Sequence, residues 1–169
     1  SLECRFGASY AASDIVMTAG ADSAINAFVD AVLEPEDEVV AFAPCCQTYR
    51  ALVEERGARL VEGPLDEETM MPDFVALECM LTSRTKLAIV STPNDPDAMA
   101  YQEAVADGIA GALFRAQRAF GRTILLLADE AQRDMSNDGP QNPWWPAFYR
   151  NTAVVGTSDV SASVAGEPA

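Results

Sequence analysis

Ile124-Leu125-Leu126-Leu127-Ala128, followed at once by Asp129-Glu130, is the stretch that decides the fold. Consecutive apolar residues leave no side for water, so a strand made of them is covered on both faces. Leu87-Ala88-Ile89-Val90 has the same character. Two such strands imply a parallel sheet between layers of helix, and the rest of the chain supplies the helices. Ala24, Ile25, Phe28, Val29, Val32 and Leu33 recur at helical spacing. A second helix is expected from near Gln47 to Glu55, closed by Arg56-Gly57, and a third from Pro72-Asp73 through Met80. The longest spans about Gln102 to Ala119, tolerates Gly108 and Gly111 at some cost, and ends at Gly121. Further strand patterns lie at Asp14–Thr18, Glu38–Ala43, Arg59–Glu62 and Ala153–Gly156. The fold class expected is α/β, a three-layer sandwich with a mostly parallel sheet. Trp144, Trp145, Phe148 and Tyr149 either form an exposed docking surface or cover one face of that sheet, and the sequence leaves both open.

Charge narrows the partners. The 169 residues carry 26 acidic and 11 basic side chains, a net charge of −15. Such a surface repels phosphate backbones and anionic lipid, so neither nucleic acid nor membrane is an expected partner. No apolar run approaches the length of a membrane span, and the opening SLECRFGASY lacks the apolar core of a signal peptide. Membrane insertion is therefore not expected. A soluble intracellular location, cytoplasm or organelle lumen, is. The four cysteines (Cys4, Cys45, Cys46, Cys79) lack zinc-ligand spacing, and histidine is absent. Asp95, Asp97 and Asp129 can be imagined as an acidic cluster for a hard cation, but solvated loop carboxylates are the commoner outcome, so no metal site is expected.

In parallel sheets ligands sit beyond the carboxyl ends of the strands. The segments that follow the strands are Gly20 to Ser23, Pro44 to Gln47, Ser91 to Ala98, Asp129 to Gln132 and Thr157 to Ser161. Val16-Met17-Thr18-Ala19-Gly20-Ala21 has the form V-x-T-x-G-A, and Glu36-Asp37-Glu38-Val39 is close to G-D-E-V. Ser91-Thr92-Pro93-Asn94-Asp95-Pro96 is close to S-x-P-N-N-P, and Asp129-Glu130-Ala131-Gln132 to D-E-x-Y. Thr157 to Glu167 is close to S-x-S-K followed by G-E. In that order these motifs resemble the class I/II aminotransferases, a pyridoxal-phosphate (PLP) dependent family of fold type I. The resemblance runs from about Asp14 to Glu167.

The resemblance implies a cofactor site and also where it departs. By analogy, Gly20, Ala21 and Asp22 open the helix that holds the cofactor phosphate, and Asp129 pairs with the pyridinium nitrogen. Asn94 and Asp95 lie in the loop facing the phenolic oxygen, where Asp95 replaces an asparagine donor. Gln132 replaces a tyrosine that bonds the same oxygen. Cys45-Cys46 stands where the family usually carries a stacking aromatic, and Pro168 where an arginine would reach the phosphate. Val160 occupies the position of the lysine that forms the Schiff base, and the sequence has a single lysine, Lys86.

These departures lead to the expectation of no catalytic residue and a vestigial cofactor site. No cofactor is expected, or PLP if the family site still functions. Residues 1–169 are expected to form one domain, truncated relative to the family. The function expected is that of a catalytically inactive aminotransferase-like domain with a structural or interaction role, a protein partner or homo- or hetero-oligomer completing it. The alternatives are a PLP-dependent enzyme or fragment whose lysine comes from elsewhere, and a domain that binds PLP or another small molecule without a covalent bond.

Overall fold

A computed structural model describes residues 11–42, 47–67, 69, 71–91, 101–131 and 143–156. Helices and strands alternate: α1 (Ala21–Val32), β1 (Glu38–Phe42), α2 (Gln47–Glu54), β2 (Arg59–Gly63), α3 (Phe74–Met80) and β3 (Thr85–Ser91). The chain continues through α4 (Glu103–Phe120), β4 (Leu125–Asp129), α5 (Trp145–Phe148) and β5 (Thr152–Val155). The strands form one sheet in the order β2-β1-β3-β4-β5, with every neighbouring pair parallel. The expected α/β sandwich is what the structure has.

The two-residue period of a strand divides the central strands between two cores. Val39, Ala41, Leu87, Ile89 and Leu127 face one layer, where Ile25 and Val29 of α1 and Val53 of α2 cover them. Val40, Phe42, Ala88, Val90, Leu126 and Ala128 face the other, beneath Leu77 of α3, Ile109 and Leu113 of α4, and Trp145 of α5. Each fully buried Leu or Ile in these layers contributes on the order of 2 kcal/mol.

Local chemistry sets the helix ends. The Asp73 carboxylate accepts from the amides of Val75 (2.9 Å) and Ala76 (3.0 Å), so α3 starts at Phe74 with Asp73 as its cap. Gly108 shows why a glycine interrupts α4. A Cβ there would stand 2.6 Å from the Phe74 ring, so the absent methyl group lets α4 close onto α3.

The aromatic segment covers a sheet face. Trp145 is fully buried and meets Tyr101 edge-to-face, with centroids 6.2 Å apart. Tyr149 is buried too, its hydroxyl donating to the Ile124 carbonyl at 2.8 Å. Burial pushes the Tyr149 phenol up to about 12 from its ordinary 10.0, against a smaller lowering from Asn151.

One expected strand is not formed. Asp14 ends a short 3-10 turn, Ala12–Asp14, and Ile15 to Thr18 belong to no described strand. Val16 and Met17 are exposed, at 79% and 84%. A β-branched run becomes a strand only where a neighbour takes its backbone hydrogen bonds, and among the described residues none lies beside it.

Candidate functional site

The end of the sheet at which each helix begins follows from the connections. Five residues, Leu33 to Asp37, join α1 to β1, so α1 ends at the amino end of the sheet and runs antiparallel to the strands. Its 12 residues span about 18 Å, and a five-residue strand about 17 Å, so α1 begins at the carboxyl end. Gly20 precedes it at a φ of 132°, and among the described residues nothing lies within 4 Å of where its Cβ would stand. Ala24 is the first residue to close a helical turn, its amide donating to the Gly20 carbonyl at 3.1 Å. The amides of Ala21, Asp22 and Ser23 precede it in the first turn, where helix N–H groups have no partner within the helix and suit an anion. Asp22 is exposed and brings its own negative charge to this turn.

Asp129 closes β4 at the same end. Its strand neighbours in register are Ser91 of β3 and Val155 of β5. Its half-buried carboxylate has both oxygens engaged. The Tyr49 hydroxyl donates to Oδ2 at 2.5 Å, and the Ala131 amide donates to Oδ1 at 3.1 Å. Tyr49, 6% exposed, stands in the first turn of α2 and reaches across from the layer above β1. Among the described residues no arginine or lysine forms an ion pair with Asp129. The carboxylate is therefore oriented by neutral donors, and a carboxylate in that state retains acceptor capacity for a cationic N–H.

Gly20, Ala21, Asp22 and Asp129 are thus brought to one end of the sheet, with α1 packed against β5, the strand beside β4. Asn94, Asp95, Gln132 and Val160 lie outside the described residues, as do Pro44 to Cys46, Asp97 and Pro168. Among the described residues no three of His, Cys, Asp and Glu gather as a metal centre. No described helix is long and apolar enough to cross a membrane. Sequence reasoning missed Tyr49. Its signal was available: it falls just after an expected strand, in the first turn of an expected helix, at the end where ligands sit.

Lys86 is the second residue of β3, near the amino end. Ser91 is five positions further along the strand, which puts Lys86 about 16 Å from the level of Asp129. The one lysine of the chain is at the wrong end of the sheet to serve this site.

Comparison with known proteins gives the constellation its family. The family described as aminotransferase class I and II matches residues 5–157. The chain belongs to that family. This aminotransferase segment is 31% identical over 127 residues to a probable aspartate/prephenate aminotransferase of Thermus aquaticus, covering 75% of this chain and 32% of that protein. It is 32% identical over 118 residues to the methionine aminotransferase of Escherichia coli, covering 70% of this chain and 29% of that protein. A crystal structure of an amino transferase from Eubacterium rectale superposes with a TM-score of 0.88 at 32% identity, over 98% of this chain and 42% of that one. The chain spans about a third of the length of the curated relatives it matches.

These findings correct the expectation that the chain is not an enzyme. Its relatives are named aminotransferases, and it corresponds to only part of each. The inactive reading rested on Val160, which lies beyond the last residue of the family match, 157. Nothing in these comparisons makes the chain inactive.

Proposed function

We propose that this aminotransferase segment seats the ring and phosphate of PLP in an enzyme that moves amino groups between amino acids and keto acids. The observation that carries the reading is Asp129: a half-buried carboxylate at the carboxyl end of β4, fixed by Tyr49 and Ala131 and without a described basic partner. A protonated pyridine nitrogen supplies the missing positive charge and the N–H that such an oxygen accepts. The first turn of α1 offers amides to the phosphate, and Gly20 leaves that approach open. Asp22 opposes the phosphate charge and weakens this part of the fit. The residues described fit the cofactor at its ring nitrogen and at its phosphate.

When bound, PLP supplies the electron sink that lets an amino group leave one carbon skeleton and join another. Asp129 keeps the proton on the ring nitrogen. Tyr49 and Ala131 would hold the carboxylate in place, and the α1 terminus would offer its amides to the phosphate. The amine that attaches the cofactor comes from outside this segment, either from another part of a longer polypeptide or from a partner chain. Lys86 cannot supply it at about 16 Å along β3.

Titration of the full chain with PLP, followed by borohydride reduction and peptide mapping, tests the reading. Saturable binding without a reduced adduct on Lys86 is expected, with amino-group transfer only when the polypeptide bearing the amine is present. Absence of binding overturns the proposal, and an adduct on Lys86 overturns the assignment of the amine to another segment.

A further inference from the structure

We infer that a cavity at the amino end of the sheet binds a free α-amino acid as a zwitterion, with its carboxylate on Arg59 and its ammonium group on Glu36. This site lies at the opposite end of the sheet from Asp129 and is independent of the reading made there. Among the described residues Glu36, Glu38, Gly57, Arg59 and Arg84 line the cavity, which has a volume of about 190 Å³. Three strands start around it: Glu38 opens β1, Arg59 opens β2, and Arg84 precedes β3. Register sets the two arginines on either side of Glu38, which pairs with Arg59 of β2 and with Thr85 of β3. Pockets for drug-sized ligands begin at about 300 Å³, so this volume suits a smaller molecule.

The charges around the cavity divide into a used set and an unused one. Buried Glu38 has both oxygens engaged, Oε1 accepting from Arg84 at 2.9 Å and Oε2 from Thr82 at 2.5 Å. That contact uses one nitrogen of Arg84, whose side chain stays 57% exposed. Glu36 and Arg59 are exposed, and among the described residues neither forms an ion pair, with each other or with any other side chain. An anion and a cation that share a cavity without meeting leave room for a ligand that carries both charges. A simple anion would have Glu36 against it, and a simple cation would have Arg59 and Arg84 against it. A zwitterion satisfies both, and the guanidinium fork matches a carboxylate with paired N–H donors.

The backbone shows that Glu36 holds its place against a penalty. Its φ is 73°, and among the described residues it is the only non-glycine at positive φ. A Cβ makes that conformation costly, whereas glycine adopts it freely. The motif G-D-E-V has glycine at this position. The turn itself is fixed, since the Glu36 amide donates to the Gly57 carbonyl at 2.9 Å. The chain therefore accepts strain where the motif avoids it, and gains a carboxylate on the cavity of the two arginines. Surface charge alone does not account for this, because a chain with 26 acidic side chains has acid in plenty at unstrained positions.

The test titrates glycine into the ¹⁵N-labelled full chain without PLP and follows the backbone amide shifts. Saturable shifts at Glu36, Gly57 and Arg59 are expected, with a dissociation constant on the order of 1 mM. Acetate and methylammonium, which carry one charge each, are expected to bind about tenfold more weakly or less. Arg59→Gln and Glu36→Gly should each weaken glycine about tenfold, and Glu36→Gly should melt no lower than wild type because its strain is relieved. Should Glu36→Gly rearrange the turn, Glu36→Gln keeps the size of the side chain without its charge, and the same loss is expected. Asp129→Ala should leave the glycine shifts unchanged, which separates this site from the one at the carboxyl end. Absence of saturable shifts on wild type, acetate binding as tightly as glycine, or undiminished binding to Glu36→Gln overturns the inference. A loss in Asp129→Ala places glycine at the other end of the sheet and overturns it as well.

Discussion

The two ends of the sheet treat buried acid in opposite ways. At the amino end Asp37 and Glu38 are 4% and 5% exposed, and each meets an arginine. Arg122 grips Asp37 and also donates to the carbonyls of Ser83 and Arg84, and Glu38 takes a further bond of 2.5 Å from Thr82. At the carboxyl end Asp129 meets a phenol and an amide, with no described cation. The first arrangement is closed and fastens strands to loops. The second has no cation among the described residues, and on the proposed function a ligand brings it. On the proposed function, the same side-chain chemistry serves structure at one end and cofactor binding at the other, and the partner decides which is which.

The largest effect expected from breaking this contrast is at the binding end. Asp129→Ala should weaken PLP or pyridoxine 5′-phosphate by about 100-fold in calorimetry, while stability in urea falls by only about 1 kcal/mol. Arg122→Ala should do the reverse. It leaves the buried Asp37 carboxylate without its cation, at a cost of about 2–3 kcal/mol in a urea melt, with ligand affinity unchanged.

Much of this architecture was legible in the sequence because it rests on local rules. Continuous apolar runs at Leu87–Val90 and Ile124–Ala128 announced covered strands, and Gly121, with a φ of 64°, ended α4 where the pattern stopped. Asp129 stood out because it follows such a strand directly. Asp14–Thr18 misled because its β-branched residues fit a strand whose partner no local pattern can reveal. The aromatic segment stayed open because Trp145 and Tyr149 read alike on a surface and in a core, and only burial separates them. The place of Tyr49 at the ligand end was legible, but its pairing with Asp129 was not, because the partner is 80 residues away, a distance at which no spacing rule speaks.

A smaller effect separates the ends by pH. The Tyr149 phenol titrates near 10 unfolded and about 12 folded, so folding favours its neutral form. Its contribution is complete below pH 10 and is lost as pH rises toward about 12. Thermal melts across that range should show wild type losing stability faster than Tyr149→Phe, and parallel curves would remove Tyr149 from the account. The smallest effect belongs to the segment ahead of α1. Val16→Ser and Met17→Ser should each change the melting free energy by less than about 0.5 kcal/mol, since both side chains are exposed.

The most direct test of the central claim is the protonation state of the bound ring, read by nitrogen NMR with ¹⁵N-labelled pyridoxine 5′-phosphate. At a pH where the free ligand has lost its ring proton, the ligand on wild type should keep the shift of a protonated pyridine, and the ligand on Asp129→Ala should not. A bound ring that is unprotonated on wild type would mean that Asp129 does not face the nitrogen. The carboxyl end would then have to be explained without a cationic ligand.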